Sequence, residues 1–265
     1  MTKVSVFHFI KLFMRSALFV ATLLWYIYTR STNGEVSLQQ LGNGETWIVL
    51  AIVWVVFCFE MIMRMFPSPL ESNGCQKQFG RNYIPSGQTE AKIDDNHATV
   101  LVLLVWIVLN GTIGGLYMGG LIDQGILLLI SLVFSICDII CILFFCPFQS
   151  WFLKNKCCST CRIYNWDYAM MFTPLFFIPG IYTWSLLMLS VLLLVRWEIT
   201  VWKCPERFAE NTNEYLACKN CNEKLCAHKK QLARLWTRIK IEKKKYETRI
   251  LNAISEHKKR SRPEN

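Results

Sequence analysis

The chain has 265 residues, 53% of them hydrophobic, a mean hydropathy of +0.28 and a formal net charge of +10. This composition excludes an ordinary water-soluble enzyme and leaves little chain for a large catalytic domain outside a membrane. The excess charge sits near the C-terminal end, where residues 229–260 carry twelve Lys or Arg against three Glu.

Apolar runs long enough to cross a bilayer, about 20 residues each, cover most of the first 200 positions. They span residues 4–28, 46–66, 98–118, 121–145 and a broken run over 163–202. In the first, Lys3, Lys11 and Arg15 precede the most apolar stretch, Phe19–Tyr28, with no small-residue cleavage site after it, so it reads as a retained helix and not a signal peptide. In the broken run, Pro174 and the Pro179-Gly180 pair interrupt helical continuity. The sequence therefore predicts an all-α integral membrane bundle of about six segments, the fifth (163–178) short or re-entrant and the sixth over 181–202. Five segments, with one long Pro-kinked helix, is the competing arrangement.

Charge in the loops decides between them. Basic residues mark the cytoplasmic side. They occur in the 67–97 loop (Lys77, Arg81, Lys92), the 147–162 loop (Lys154, Lys156, Arg162) and the tail. Six segments put all of these on one side, with both termini cytoplasmic and the plasma membrane as the expected location. The cysteines agree: nine of twelve fall at or beyond helix ends on that same side. Cytosolic thiols stay reduced, so such clusters suggest metal or redox chemistry and not disulfides.

Three regions follow: a transmembrane bundle over 1–202, a Cys-rich segment over 203–228 and a basic amphipathic helix and tail over 229–265. Cys158 and Cys161 have the x2 spacing that lets two thiolates grip one tetrahedral ion, and Cys146 and Cys157 are further candidate ligands. Cys218 and Cys221, followed by Cys226 and His228, form a compact Cys3His candidate. Zinc is the expected metal, and an iron–sulfur cluster is the alternative. Residues 164–168, rich in aromatic and polar side chains, read as an interfacial belt.

Within the membrane, Glu60 and Arg64 lie one turn apart and are expected to pair along their helix. Asp138, beside Cys137 and one turn before Cys141, is a functional candidate because a carboxylate at that depth is costly. Gly111, Gly115 and Gly119 repeat every four residues and are expected to admit a neighbouring helix. In the tail, Leu232, Trp236, Ile239, Tyr246 and Ile250 form an apolar stripe that Lys243 interrupts, opposite a dense basic face. Anionic lipid of the inner leaflet, or a protein partner bound through residues 229–257, is the expected contact. No base-reading motif accompanies the charge, so nucleic acid is not expected, and an oligomer stays open.

No phosphate-binding Gly-rich loop, nucleophile elbow or H-E-x-x-H motif occurs. The expected function is accordingly a non-enzymatic membrane scaffold or regulator, presenting a zinc-stabilised cytosolic surface and a basic helix. The alternatives are a membrane thiol or iron–sulfur redox protein, which uses Cys157, Cys158 and Cys161, and a small transporter or channel built around Asp138.

Overall fold

The computed structural model describes residues 2–33, 46–93, 96–154, 157–221, 223, 237–243, 245, 246 and 248. The chain divides into two compact units, Met1–Lys224 and Leu225–Asn265. Residues 204–221 of the Cys-rich segment thus belong to the same unit as the apolar helices. In the second unit, residues 237–243 are helical.

The first unit is all-helical. Its long helices are α1 (Lys3–Asn33), α2 (Thr46–Arg64), α4 (Asn96–Met118), α5 (Gln124–Leu143) and α7 (Ile181–Lys203), with short α3 (Asn73–Gln76) and α6 (Asp167–Phe172) between them. Among the described residues, four helices are long and apolar enough to cross a membrane, namely α1, α4, α5 and α7. α2 is a further helix of 19 residues, apolar except for its polar end at Glu60 and Arg64. The 163–178 stretch is not a spanning helix. It is a chain of single turns: 3-10 at Tyr164–Trp166, then α6, then 3-10 at Thr173–Phe177. Pro174 opens the last of these, and α7 starts only after Pro179-Gly180. α5 begins later than its apolar run, because Asp123 caps it, its side chain accepting from the Ile126 amide at 2.9 Å.

α1 packs along α5, α2 against α7, and α6 against both α5 and α7. The core is drawn from one stripe of each helix. On α2 the buried residues Leu50, Val53, Phe57 and Met61 recur at three- and four-residue spacing, while Ile52, Val55 and Phe59 point outward. Outward-facing apolar side chains of this kind are what lipid contact requires. At its 31 residues, α1 is about 46 Å long, more than the ~30 Å hydrocarbon core. Its first turns run through a polar cap instead. There Ser5 Oγ donates to the Glu223 carbonyl at 3.0 Å and Lys11 Nζ to Glu71 Oε1 at 3.0 Å.

The glycine contacts differ from expectation. Added Cβ atoms at Gly111 and Gly115 would meet nothing within 4 Å, and at Gly119 the nearest atom, at 3.2 Å, is a carbonyl of its own helix. The close approach is at Gly114, where a Cβ would run into the Phe177 ring. Position 114 lies on the face of α4 turned to the Thr173–Phe177 turn, and the four-residue repeat lies on the open face. Gly114→Val is expected to lower stability by about 1–3 kcal/mol through overpacking. A Phe177→Ala background should return most of that loss in a thermal or SDS-unfolding assay, and equal costs in both backgrounds would refute the contact.

Candidate functional site

Toward the end of the bundle where α2 and α5 finish, three helices and α6 bring together a cluster of charges. Arg15 of α1 is 1% exposed. Its Nη2 donates to Glu60 Oε2 of α2 at 2.6 Å, and its Nη1 donates to Asp138 Oδ2 of α5 at 3.1 Å and to the Ser135 carbonyl at 2.7 Å. Tyr168 of α6 donates its hydroxyl to Glu60 Oε2 at 2.9 Å. Arg64, at the end of α2, pairs with Asp167 and donates to Asn165 Oδ1 at 2.9 Å. Its guanidinium lies 5.1 Å from the Tyr168 ring centroid, and that of Arg15 lies 5.8 Å from the same ring. Tyr168 therefore separates two cations that would otherwise repel. The expected Glu60–Arg64 pair along α2 is replaced by two pairs between elements. A carboxylate in hydrocarbon gains more from a desolvated fork on another helix than from a flexible neighbour one turn away.

A second polar layer ties the 147–162 loop to the cap. Lys77, 1% exposed, donates to the carbonyls of Ser159 at 2.7 Å and Cys161 at 3.0 Å, and its ammonium lies over the Trp197 ring at 5.4 Å. Arg162 forks onto Glu198 of α7, and Trp166 Nε1 donates to Glu198 Oε1 at 2.7 Å. Burial pushes the Cys75 thiol up to about 11 and the Cys161 thiol to about 12, despite Arg64 beside the first and Lys77 beside the second. Both therefore stay protonated and poorly nucleophilic at neutral pH.

Burial would raise the Glu71 carboxyl, but Lys11 and Arg64 outweigh it and hold the group below the ordinary value of 4.5. A carboxylate whose folded pKa is lowered stabilises the fold above its unfolded pKa, and that contribution is lost as pH falls through the folded value. Unfolding midpoints are therefore expected to drop more steeply below pH 4.5 in the parent than in Glu71→Gln, and parallel curves would exclude the effect.

Beside the charge cluster lies a cavity of about 310 Å³. Five thiols line it: Cys137 and Cys141 from α5, Cys146 just beyond its end, and Cys158 and Cys161 from the loop. Asp138 and Asp167 are also in its wall, with Trp106, Phe134 and Phe148 among the apolar residues. Cys141 lies within hydrogen-bond reach of Cys146. Cys146 Sγ accepts from the Gln149 amide at 3.4 Å, and Cys158 Sγ donates to Gln149 Oε1 at 3.5 Å. The described cysteines are all thiols. Asp167 Oδ1 is buried without a hydrogen-bond partner.

Among the described residues, no three His, Cys, Asp or Glu side chains gather closely enough to hold a metal ion. Cys146, Cys157, Cys158 and Cys161 share one neighbourhood without converging as ligands of one ion. Their chain positions follow the loop's 3-10 turn at Cys158–Thr160 and the π-helical turn at Phe148–Leu153, and Cys146, Cys158 and Cys161 line the cavity while Cys157 does not. Cys218 is exposed and Cys221 half-buried, at the two ends of a 3-10 turn. Cys226 and His228 lie outside the described residues, as does most of the 229–257 helix.

Arg15, Lys77 and Asp167 were not singled out from the sequence as site residues. Arg15 did carry a signal: it lies inside an apolar run and not at its edge, which marks an intramembrane charge awaiting acidic partners. No protein-family model, no curated protein and no solved structure matches this chain.

Proposed function

We propose that the protein is a membrane thiol redox protein whose working pair is Cys141 and Cys146. One observation carries this reading: five thiols from α5 and the following loop line a single cavity, and these two are in mutual reach. The pair bridges a helix end, where Phe144 has left regular geometry at φ −119° and ψ −68°, so the backbone can bring sulfurs five residues apart together. Cys158 and Cys161, the thiols favoured by spacing, line the same cavity and are the competing pair.

The reading places the protein in the cell membrane, with both termini and the 147–162 loop on the cytoplasmic side and residues 163–178 as a re-entrant turn. Basic residues in the loops and tail support that orientation. On a reducing side the resting state is the dithiol. The basic 229–257 segment then faces anionic inner-leaflet lipid, where each basic residue adds about 1 kcal/mol of attraction.

The test is differential alkylation and mass spectrometry on the full chain in membranes. Diamide is expected to close a Cys141–Cys146 disulfide, and dithiothreitol to reopen it. Closure between other cysteines only, or none at all, would overturn the assignment.

A further inference from the structure

We infer that the cavity takes a lipid-soluble quinone, which accepts the two electrons of the Cys141–Cys146 pair. This rests on the thiol-redox reading above and supplies its oxidant. The cavity runs along α5 from Phe134, near the middle of the helix, to Cys141 and Cys146 at its end. Phe134 and Cys141 are seven residues apart, about 10 Å of helix. The thiols therefore lie toward the membrane surface, and the deeper wall is aromatic, with the Trp106 and Phe134 rings 4.9 Å apart. A flat ring with an apolar tail matches that polarity gradient. The volume of about 310 Å³ is at the lower end of small-molecule sites, enough for a substituted ring with the first part of its tail.

Asp167 also lines the cavity, with its Oδ2 held by Arg64.

The step balances as follows. The two S–H bonds of Cys141 and Cys146 break and one S–S bond forms between them. The two electrons pass to the quinone ring, and the two protons end on its carbonyl oxygens, giving the hydroquinone. One dithiol is oxidised for each quinone reduced.

The probe is decylubiquinone, added without oxygen to the full-length, pre-reduced protein in lipid nanodiscs. Hydroquinone is read by ultraviolet absorbance, and the disulfide by alkylation and mass spectrometry. The expected result is one hydroquinone and one Cys141–Cys146 disulfide per chain, lost in Cys141→Ser and in Cys146→Ser. Leu109→Trp, which fills the cavity from α4, should slow the reaction at least tenfold. Closure by diamide but not by the quinone overturns this inference and leaves the thiol-redox reading standing. Closure by neither removes both. Quinone reduction that is unchanged in Leu109→Trp shows that the reaction happens elsewhere, and overturns the cavity assignment.

Discussion

Arg15→Ala is expected to destabilise the protein by about 3–5 kcal/mol, a large fraction of the stability of a typical domain. The side chain is 1% exposed and bonds Glu60, Asp138 and the Ser135 carbonyl. Its removal leaves two carboxylates in the bundle without their shared cation, and a buried unpaired charge costs more than a lost contact. Arg15→Lys keeps the charge but not the fork: a single ammonium does not reach Glu60 and Asp138 with the geometry that the two Nη groups achieve. Its cost should be intermediate. Replacing Arg15, Glu60 and Asp138 together by apolar residues of similar size should cost less than Arg15→Ala alone. Unfolding in SDS from mixed micelles measures all three. If Arg15→Ala unfolds within about 0.5 kcal/mol of the parent, the cluster contributes little to the fold.

Arg64→Met is expected to cost a similar 3–5 kcal/mol, because Asp167 is then buried with neither oxygen satisfied. The Arg64→Met/Asp167→Leu double variant should recover much of that loss, since two apolar side chains need no partners. The two residues share one ion pair, so their effects should be strongly non-additive, with a coupling of at least about 1 kcal/mol. Additive costs would mean that the pair contributes nothing as a pair. Asn165 Oδ1, which also accepts from Arg64 at 2.9 Å, should then become the next most sensitive position.

The membrane class was legible from runs of apolar residues alone, because the bilayer imposes a length and forbids unpaired backbone whatever the fold. α1, α4, α5 and α7 lie where those runs are. The break at Pro174 and Pro179-Gly180 was legible too, since proline removes a donor and glycine weakens the helix locally. Which charges pair was not. Glu60 and Arg64 are neighbours on α2, and sequence spacing favours their union. Their actual partners, Arg15 and Asp167, are 45 and 103 residues away. Only the packing of α1, α2, α5 and α6 around one point makes those pairs available.

The glycines and cysteines show the same division. A four-residue repeat at Gly111, Gly115 and Gly119 identifies one face of α4, but not whether that face meets protein; Gly114 does, because Phe177 comes from a turn that no helical period encodes. Cysteine spacing identified a thiol-rich loop after α5. The cavity exists because the loop folds back under Lys77 and Arg162, held by carbonyls and by Glu198. The sequence by itself determined the all-helical, membrane-spanning class, the places of α1, α4, α5 and α7 and the break before α7, all properties of local composition set against a uniform solvent, whereas the six expected segments become four helices long and apolar enough to span among the described residues. Tertiary structure decided which buried charges neutralise one another and which thiols share a space, because those depend on distances between segments far apart in the chain.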